Sequence, residues 1–162
     1  KELLRRGCEF SAFTPVMRTH EGNRPNENTQ FDADEETIEF FSRFSRIHRA
    51  LSPYLIDLGA QNSAQGLPAM RTLFLHYPDD ARAYTERYEY LLGRDILVAP
   101  VVEEGAAART LYLPQDDWVH LWSGKAYSGG EVTVQSPIGE PPVLYRAKSE
   151  IARVMDTLRE IR

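Results

Sequence analysis

At 162 residues the chain is long enough for one compact domain or two small units. Its 42% hydrophobic and 27% charged residues exclude a disordered or fibrous protein, and a formal net charge of −5 excludes nucleic acid as the main partner. The single cysteine, Cys8, leaves no intrachain disulfide and fits a reducing, cytoplasmic setting; no apolar run reaches membrane-spanning length, and no signal-peptide pattern is present.

Lys1 to Phe13 carries Leu3, Leu4, Cys8 and Phe10 between charges and reads as the end of an amphipathic helix. A chain that opens inside a helix, on Lys1, is expected to be a piece of a larger protein. Thr14 to Met17 follows as a short strand. Glu21 to Asp34 is a polar loop rich in Asn, Gly and Pro, and a loop of that length is more often functional than idle. Asp34 is placed to cap the next helix, with Glu35 and Glu36 favourable near its positive end. Ile38, Phe41, Phe44, Ile47, Leu51, Tyr54, Leu55 and Leu58 form one buried stripe at steps near three and four. Pro53 either kinks this helix or, with Ser52, starts a second one; Gly59 is a plausible terminator.

Gly66-Leu67-Pro68 introduces a second strand, Ala69 to Leu75, whose apolar residues do not alternate cleanly, as in a strand covered on both faces. Pro78-Asp79-Asp80 then caps a helix with Tyr84, Tyr88, Leu91 and Leu92 on one face, ended by Gly93. Lys1 to Arg94 thus reads helix, strand, helix, strand, helix, a rhythm that implies parallel strands with helical crossovers. From Asp95 the pattern changes to short strands at Ile96 to Ala99, Thr110 to Leu113, Trp118 to Trp122, Glu131 to Gln135 and Val143 to Arg146, separated by turn-prone pairs. That spacing suggests an antiparallel sheet or sandwich. Ser149 caps a last helix carrying Ile151, Val154, Met155, Leu158 and Ile161.

The chemistry-bearing stretch runs from Thr14 to Pro25. An apolar run ending in Met17 gives way to Arg18, His20, Glu21, Asn23 and Arg24, the appearance of a buried strand emerging into a polar site. Arg18 and His20 are two positions apart, on one side of an extended segment. Taken alone, such a pair is more often an ordinary strand end whose charges reach water. Elsewhere the candidates are bland. Glu103-Glu104 and Asp116-Asp117 are paired carboxylates, but adjacent turn residues point apart into water. His20, His48, His76 and His120 show no metal-ligand spacing, and no Gly-rich phosphate loop occurs, so no metal and no cofactor is expected. His48 and His120 read as structural, and Cys8 as a small core residue. Trp118 and Trp122 share a face of one strand, where they are either core or a platform for a sugar.

Phe13-Thr14-Pro15-Val16-Met17-Arg18-Thr19-His20 resembles the late-barrel segment of glycoside hydrolase family 31, the α-glucosidase family. Leu91 to Val101 (LLGRDILVAPV) is similar to that family's junction between barrel and β-domain, and Leu111-Tyr112-Leu113-Pro114, with Trp118 and Trp122, to its first β-domain strands. His20-Glu21-Gly22-Asn23-Arg24-Pro25 looks most like the sulfoquinovosidase branch, whose substrates are α-glycosides of 6-sulfo-6-deoxyglucose. The resemblance implies an α/β plus all-β fold. Residues 1–94 would be the last βα units of a TIM (β/α)8 barrel, and 95–162 an antiparallel β-sandwich domain with its C-terminal helix. It implies a retaining double displacement by two aspartates that lie upstream of Lys1 in the family, so this chain would hold no catalytic residue of its own. His20 and Arg18 match the family's sugar-binding pair. The expected partner is an α-glycoside, sulfoquinovosyl glycerol or an α-glucoside. With only two strands of a barrel, the isolated chain is expected to self-associate. The competing expectation is a non-catalytic carbohydrate-binding or scaffolding module resting on Trp118 and Trp122.

Overall fold

A computed structural model of the chain describes residues 1–20, 23, 24 and 26–161. In chain order its elements are α1 (Glu2–Ala12), α2 (Glu35–Ala50), α3 (Ser52–Gln65), β1 (Met70–Arg71), β2 (Tyr90–Leu92), β3 (Ile96–Val98), β4 (Ala108–Leu113), β5 (Trp118–His120), β6 (Ala126–Tyr127), β7 (Gly130–Gln135), β8 (Val143–Arg146) and α4 (Ala152–Leu158). Six strands form one sheet in the order β1-β2-β3-β8-β5-β6, and β4 and β7 make a separate two-stranded ribbon. Every pairing is antiparallel.

The sheet is built around β3, which is buried at every position. Side chains alternate across a strand, so the three residues enter two different cores. Ile96 and Val98 pack with Leu92, Val143 and Tyr145 against Phe13, Phe44, Ile47, Leu51, Leu58, Met155 and Leu158 of the helical segments. Leu97 packs with Leu91 and Leu144 against Leu111, Leu113 and Val134 of the ribbon, with Trp118 between them. Leu97 lies opposite Leu91 in one direction and Leu144 in the other, which sets the register of the three central strands. Helices therefore cover one face of the sheet and the ribbon the other.

Local signals explain the helices. Asp34 caps α2 by accepting from the Thr37 amide at 2.8 Å. Phe44, Ile47, Leu51 and Leu58, the core of the expected stripe, are at most 1% exposed. The break falls at Leu51, with Pro53 in the first turn of a second helix, where its missing N–H costs nothing. Gly59 does not end that helix; Gly66 does, in the left-handed conformation at φ 71°.

The first half departs from the expected parallel rhythm. Thr14 to Met17 is not a strand: a strand needs a partner ladder, and no described strand lies beside it. The Ala69 to Leu75 strand shrinks to β1 and is followed by a single 3-10 turn, Leu73–Leu75. The expected helix through Tyr84 and Leu92 is instead a 3-10 turn, Ala81–Tyr84, and the strand β2. Its apolar spacing mimicked a helix, but Leu91 faces the ribbon and Leu92 the helices, the alternation of a central strand. Tertiary pairing overrides the local pattern here. At the C-terminus, Ser149 is not the helix cap; its hydroxyl donates to the Arg146 carbonyl, and α4 starts after Ile151.

The β2–β3 turn depends on Gly93. Its φ is 65°, its amide donates to the Ala69 carbonyl at 2.7 Å, and a Cβ there would stand 2.1 Å from the Tyr54 hydroxyl oxygen. That hydroxyl is itself held by the Leu92 carbonyl at 2.9 Å, so it has little room to yield. Gly93→Ala is expected to cost about 2–4 kcal/mol, from left-handed backbone strain plus overpacking, read as a lowered denaturant midpoint with an unchanged slope.

Candidate functional site

The segment that carries Arg18 and His20 leaves the C-terminal end of α1. Ala12 and Phe13 at its root are fully buried, and Thr14 is 7% exposed. Beyond them Pro15, Val16, Arg18, Thr19 and His20 are exposed, and Met17 is half-buried. Residues 15–20 make no backbone–backbone hydrogen bond among the described residues. Neither the Arg18 nor the His20 side chain has a hydrogen bond or ion pair there, so both are free to meet a ligand.

Arg18 and His20 line one cavity of about 550 Å³. Leu3, Leu4, Gly7, Cys8 and Ser11 of α1 form one wall, and Glu27 to Phe31 of the following loop form the other. The loop is held by the Phe31 ring against Phe41 of α2, centroids 5.4 Å apart. Its end is tied to the start of α1 by Lys1, which reaches Asp34 at 2.6 Å and Glu36 at 2.7 Å. Hydrogen bonds from Lys1 and Thr37 hold the Asp34 carboxyl well below the usual carboxylate range. Cys8, on the floor of this cavity, is a buried free thiol whose pKa is pushed up to about 12 by burial, which leaves it protonated and inert. Glu21, Gly22 and Pro25 of the His20 to Pro25 motif lie outside the described residues. The cavity combines an apolar wall with a cation, an imidazole, amides and a carboxylate at its mouth, a mixture suited to hydrogen-bonding a polyhydroxylated ligand. Sequence reasoning singled out Arg18 and His20, which line this cavity, but gave no sign of its α1 wall, because nothing in the spacing of Leu3, Leu4 and Gly7 says which loop they will face.

The tryptophans are not a platform. Trp118 is fully buried with its indole N–H on the Pro114 carbonyl at 2.9 Å. Trp122 is half-buried, donates to the Pro141 carbonyl at 2.6 Å and carries the Arg43 guanidinium 5.1 Å above its ring. They do not share a face: Trp118 belongs to the ribbon-side core, and Trp122 packs against the helix-side core. His120 is 3% exposed and bonded through Nδ1 to Ser123. No cluster of three or more potential metal ligands occurs among the described residues, and no helix there is long and apolar enough to cross a membrane.

An antiparallel sheet backed by helices, preceded by an RxH segment beside a polar cavity, is the arrangement expected of the C-terminal part of a family 31 glycosidase. The sequence profile of the glycosyl hydrolase family 31 C-terminal domain matches residues 66–151, and the chain belongs to that family. It is 62% identical over 161 residues to the sulfoquinovosidase of Escherichia coli K12, covering 99% of this chain and 24% of that protein. With the sulfoquinovosidase of Agrobacterium fabrum it is 51% identical over 162 residues, again 99% of this chain and 24% of that protein. Among solved structures, it superposes on a family 31 sulfoquinovosidase from E. rectale in complex with an aza-sugar inhibitor. The TM-score is 0.96 at 48% identity, over 98% of this chain and 24% of that one. The chain thus spans about a quarter of the length of the relatives it matches.

A larger groove, about 780 Å³, lies on the other side of α1 between Leu3, Phe10, Tyr88, Tyr90 and Val102, and Glu89 lines it. Glu89 is 9% exposed; Oε1 accepts from the Tyr112 amide at 2.9 Å, while Oε2 is buried with no hydrogen-bond partner. Burial pushes its pKa up to about 7. The folded chain therefore keeps the Glu89 proton over a range in which the unfolded chain has lost it. Stability falls as pH rises from the ordinary carboxylate range to about 7 and stays lowered above. Glu89→Gln, which preserves the acceptor for Tyr112, is expected to be more stable than the parent at pH 8, by up to about 3 kcal/mol, and equal to it near pH 4.5. Denaturant unfolding of both proteins across this range checks the sign.

Proposed function

We propose that the protein to which this chain belongs is a retaining α-glycosidase that cleaves α-sulfoquinovosides, and that this chain supplies one wall of its sugar site. The observation that carries the reading is similarity to two sulfoquinovosidases over 99% of the chain, at 62% and 51% identity. In this reading Arg18 and His20 contact the sugar. An imidazole donates to or accepts from ring hydroxyls, and such bonds strengthen as the ring approaches an oxocarbenium ion. The two aspartates of the double displacement, nucleophile and acid/base, belong to the three quarters of the relatives' length that this chain does not span. Covered indoles at Trp118 and Trp122 leave the binding-module alternative without its support.

The same reading divides the chain. α1, α2 and α3, with the RxH segment, would close a (β/α)8 barrel, and the β-rich remainder would be the adjoining domain. A break between residues 94 and 95 has strand pairing on both of its sides, since β2 is bonded to β3. That favours a break near Gly66, where the family profile also begins.

Three outcomes test this reading. The isolated chain should turn over no nitrophenyl α-sulfoquinovoside. With Leu3 86%, Ile56 74% and Val16 69% exposed, it should scatter light as a dimer or larger. Turnover proportional to the concentration of pure chain would overturn the proposed division of labour. In a full-length enzyme carrying this chain, His20→Ala should lower kcat/KM roughly ten- to a hundred-fold, the loss of one hydrogen bond to a charged or charge-developing partner, about 1.5–3 kcal/mol. The melting temperature should barely move. A value within twofold of the parent would remove His20 from the site.

A further inference from the structure

We infer that His48 of α2 and Tyr90 of β2 are positioning residues for Arg18 and His20, holding the root from which the RxH segment departs. This rests on reading Arg18 and His20 as sugar contacts. An α-helix leaves its last four carbonyls without intrahelical partners. At the end of α1 the Phe10 and Ser11 carbonyls are taken by the amides of Phe13 and Thr14, and the Thr14 hydroxyl also donates to Ser11 at 2.8 Å. The next two carbonyls turn to other elements. His48 Nδ1 meets the Ala12 carbonyl at 3.0 Å, so that nitrogen carries the proton. The Tyr90 hydroxyl donates to the Phe13 carbonyl at 2.9 Å. Ala12 and Phe13 are 0% exposed, so water cannot take over either acceptor. The Tyr90 ring is itself set by the edge of Phe10, centroids 5.9 Å apart at 81°. Burial raises the Tyr90 pKa, which keeps the hydroxyl a donor at any working pH.

Three elements thus meet at two adjacent carbonyls, and beyond them residues 15–20 make no backbone–backbone hydrogen bond among the described residues; the Val16 carbonyl accepts from the Thr14 hydroxyl at 3.0 Å, a bond that belongs to the root itself. Met17 rests against the helix-side core, and the direction in which the segment reaches it is set at the root. Seven extended residues reach at most about 25 Å, so a rotation of about 10° at Phe13 displaces the His20 end by up to about 4 Å. Misplacement of a contact by about 1 Å costs on the order of a hundredfold in rate. A hydroxyl at residue 90 is therefore read out at residue 20.

The test uses a full-length enzyme carrying this chain, an aryl α-sulfoquinovoside as substrate, and a double-mutant cycle. Tyr90→Phe removes one oxygen and keeps the ring. It is expected to lower kcat/KM about five- to thirtyfold. In the His20→Ala background the same change should cost less than twofold, because the contact it positions is already gone. His48→Leu should behave likewise, and His48→Gln, which keeps a donor, should recover most of the activity. Losses that multiply undiminished in the double variant, or a Tyr90→Phe enzyme within twofold of the parent, would overturn the inference while leaving the His20 contact standing. His20→Ala within twofold of the parent would remove the sugar-contact reading and the inference together. Should Tyr90→Phe fail to fold, the His48→Leu and His48→Gln pair decides by the same cycle.

Discussion

A strand with no exposed side chain must be covered from both directions, and β3 imposes that demand on everything around it. Ile96 and Val98 require an apolar layer on one side, Leu97 another on the opposite side, and neither layer is a sheet extension. The helical half of the chain supplies the first and the β4–β7 ribbon the second. Each of the three side chains contributes roughly 1.5–3 kcal/mol by leaving water, so neither cover is dispensable. The turn at Gly93, the strand pairings of Leu97 and the packing of Trp118 with the ribbon all follow from this one requirement.

The covers are tied down by polar clasps at their edges. Arg6 of α1 donates from one nitrogen to the carbonyls of Ala106, at 2.7 Å, and Ser136, at 3.0 Å, and pairs with Glu9 at 2.9 Å. Glu9, 2% exposed, accepts the Gly139 amide. Burial raises the Glu9 pKa, and the Gly139 and Arg6 bonds offset part of that cost. From α2, Arg43 reaches the Ile161 and Gly139 carbonyls while lying over Trp122 and Phe44. A guanidinium suits this work because its planar fork serves several carbonyls and still stacks on rings. On the opposite side of α1 the RxH cavity is left open, so the helix is at once part of the core and a wall of that cavity.

What the sequence disclosed follows from how local each determinant is. The stripe expected from Ile38 to Leu58, which is buried from Phe44 on while Ile38 is exposed, the Asp34 cap and strands β3, β4, β7 and β8 depend on neighbours within a turn or on simple alternation, and these were legible. β1 was legible but drawn too long, and β2 was not legible, because two adjacent leucines at helical distance from two tyrosines look the same whether they face one core or two. Only pairing with β3, itself set by β8 about fifty residues on, decides between the alternatives. At the cavity, Arg18 and His20 stood out only through the family resemblance of the stretch that carries them, since the pair alone reads as an ordinary strand end. The donors at their root did not stand out, since a histidine inside α2 and a tyrosine opening β2 carry no mark of the carbonyls they will meet.

The Arg6 clasp has a consequence for the order of synthesis. Its acceptors stand 100 and 130 residues further along the chain, and the Gly139 amide that meets Glu9 is also 130 away. Contacts so distant cannot form until the ribosome has delivered them, at about 5–20 residues per second. α1 can pack on α2 early, but its Arg6 and Glu9 clasps wait on the order of ten seconds, and the faces that the helices turn to β3 and β8 wait with them. During that interval the apolar face that the helices turn to the sheet has no strands to cover it. How long that face stays open is set by how late the chain writes the strands that the helices cover.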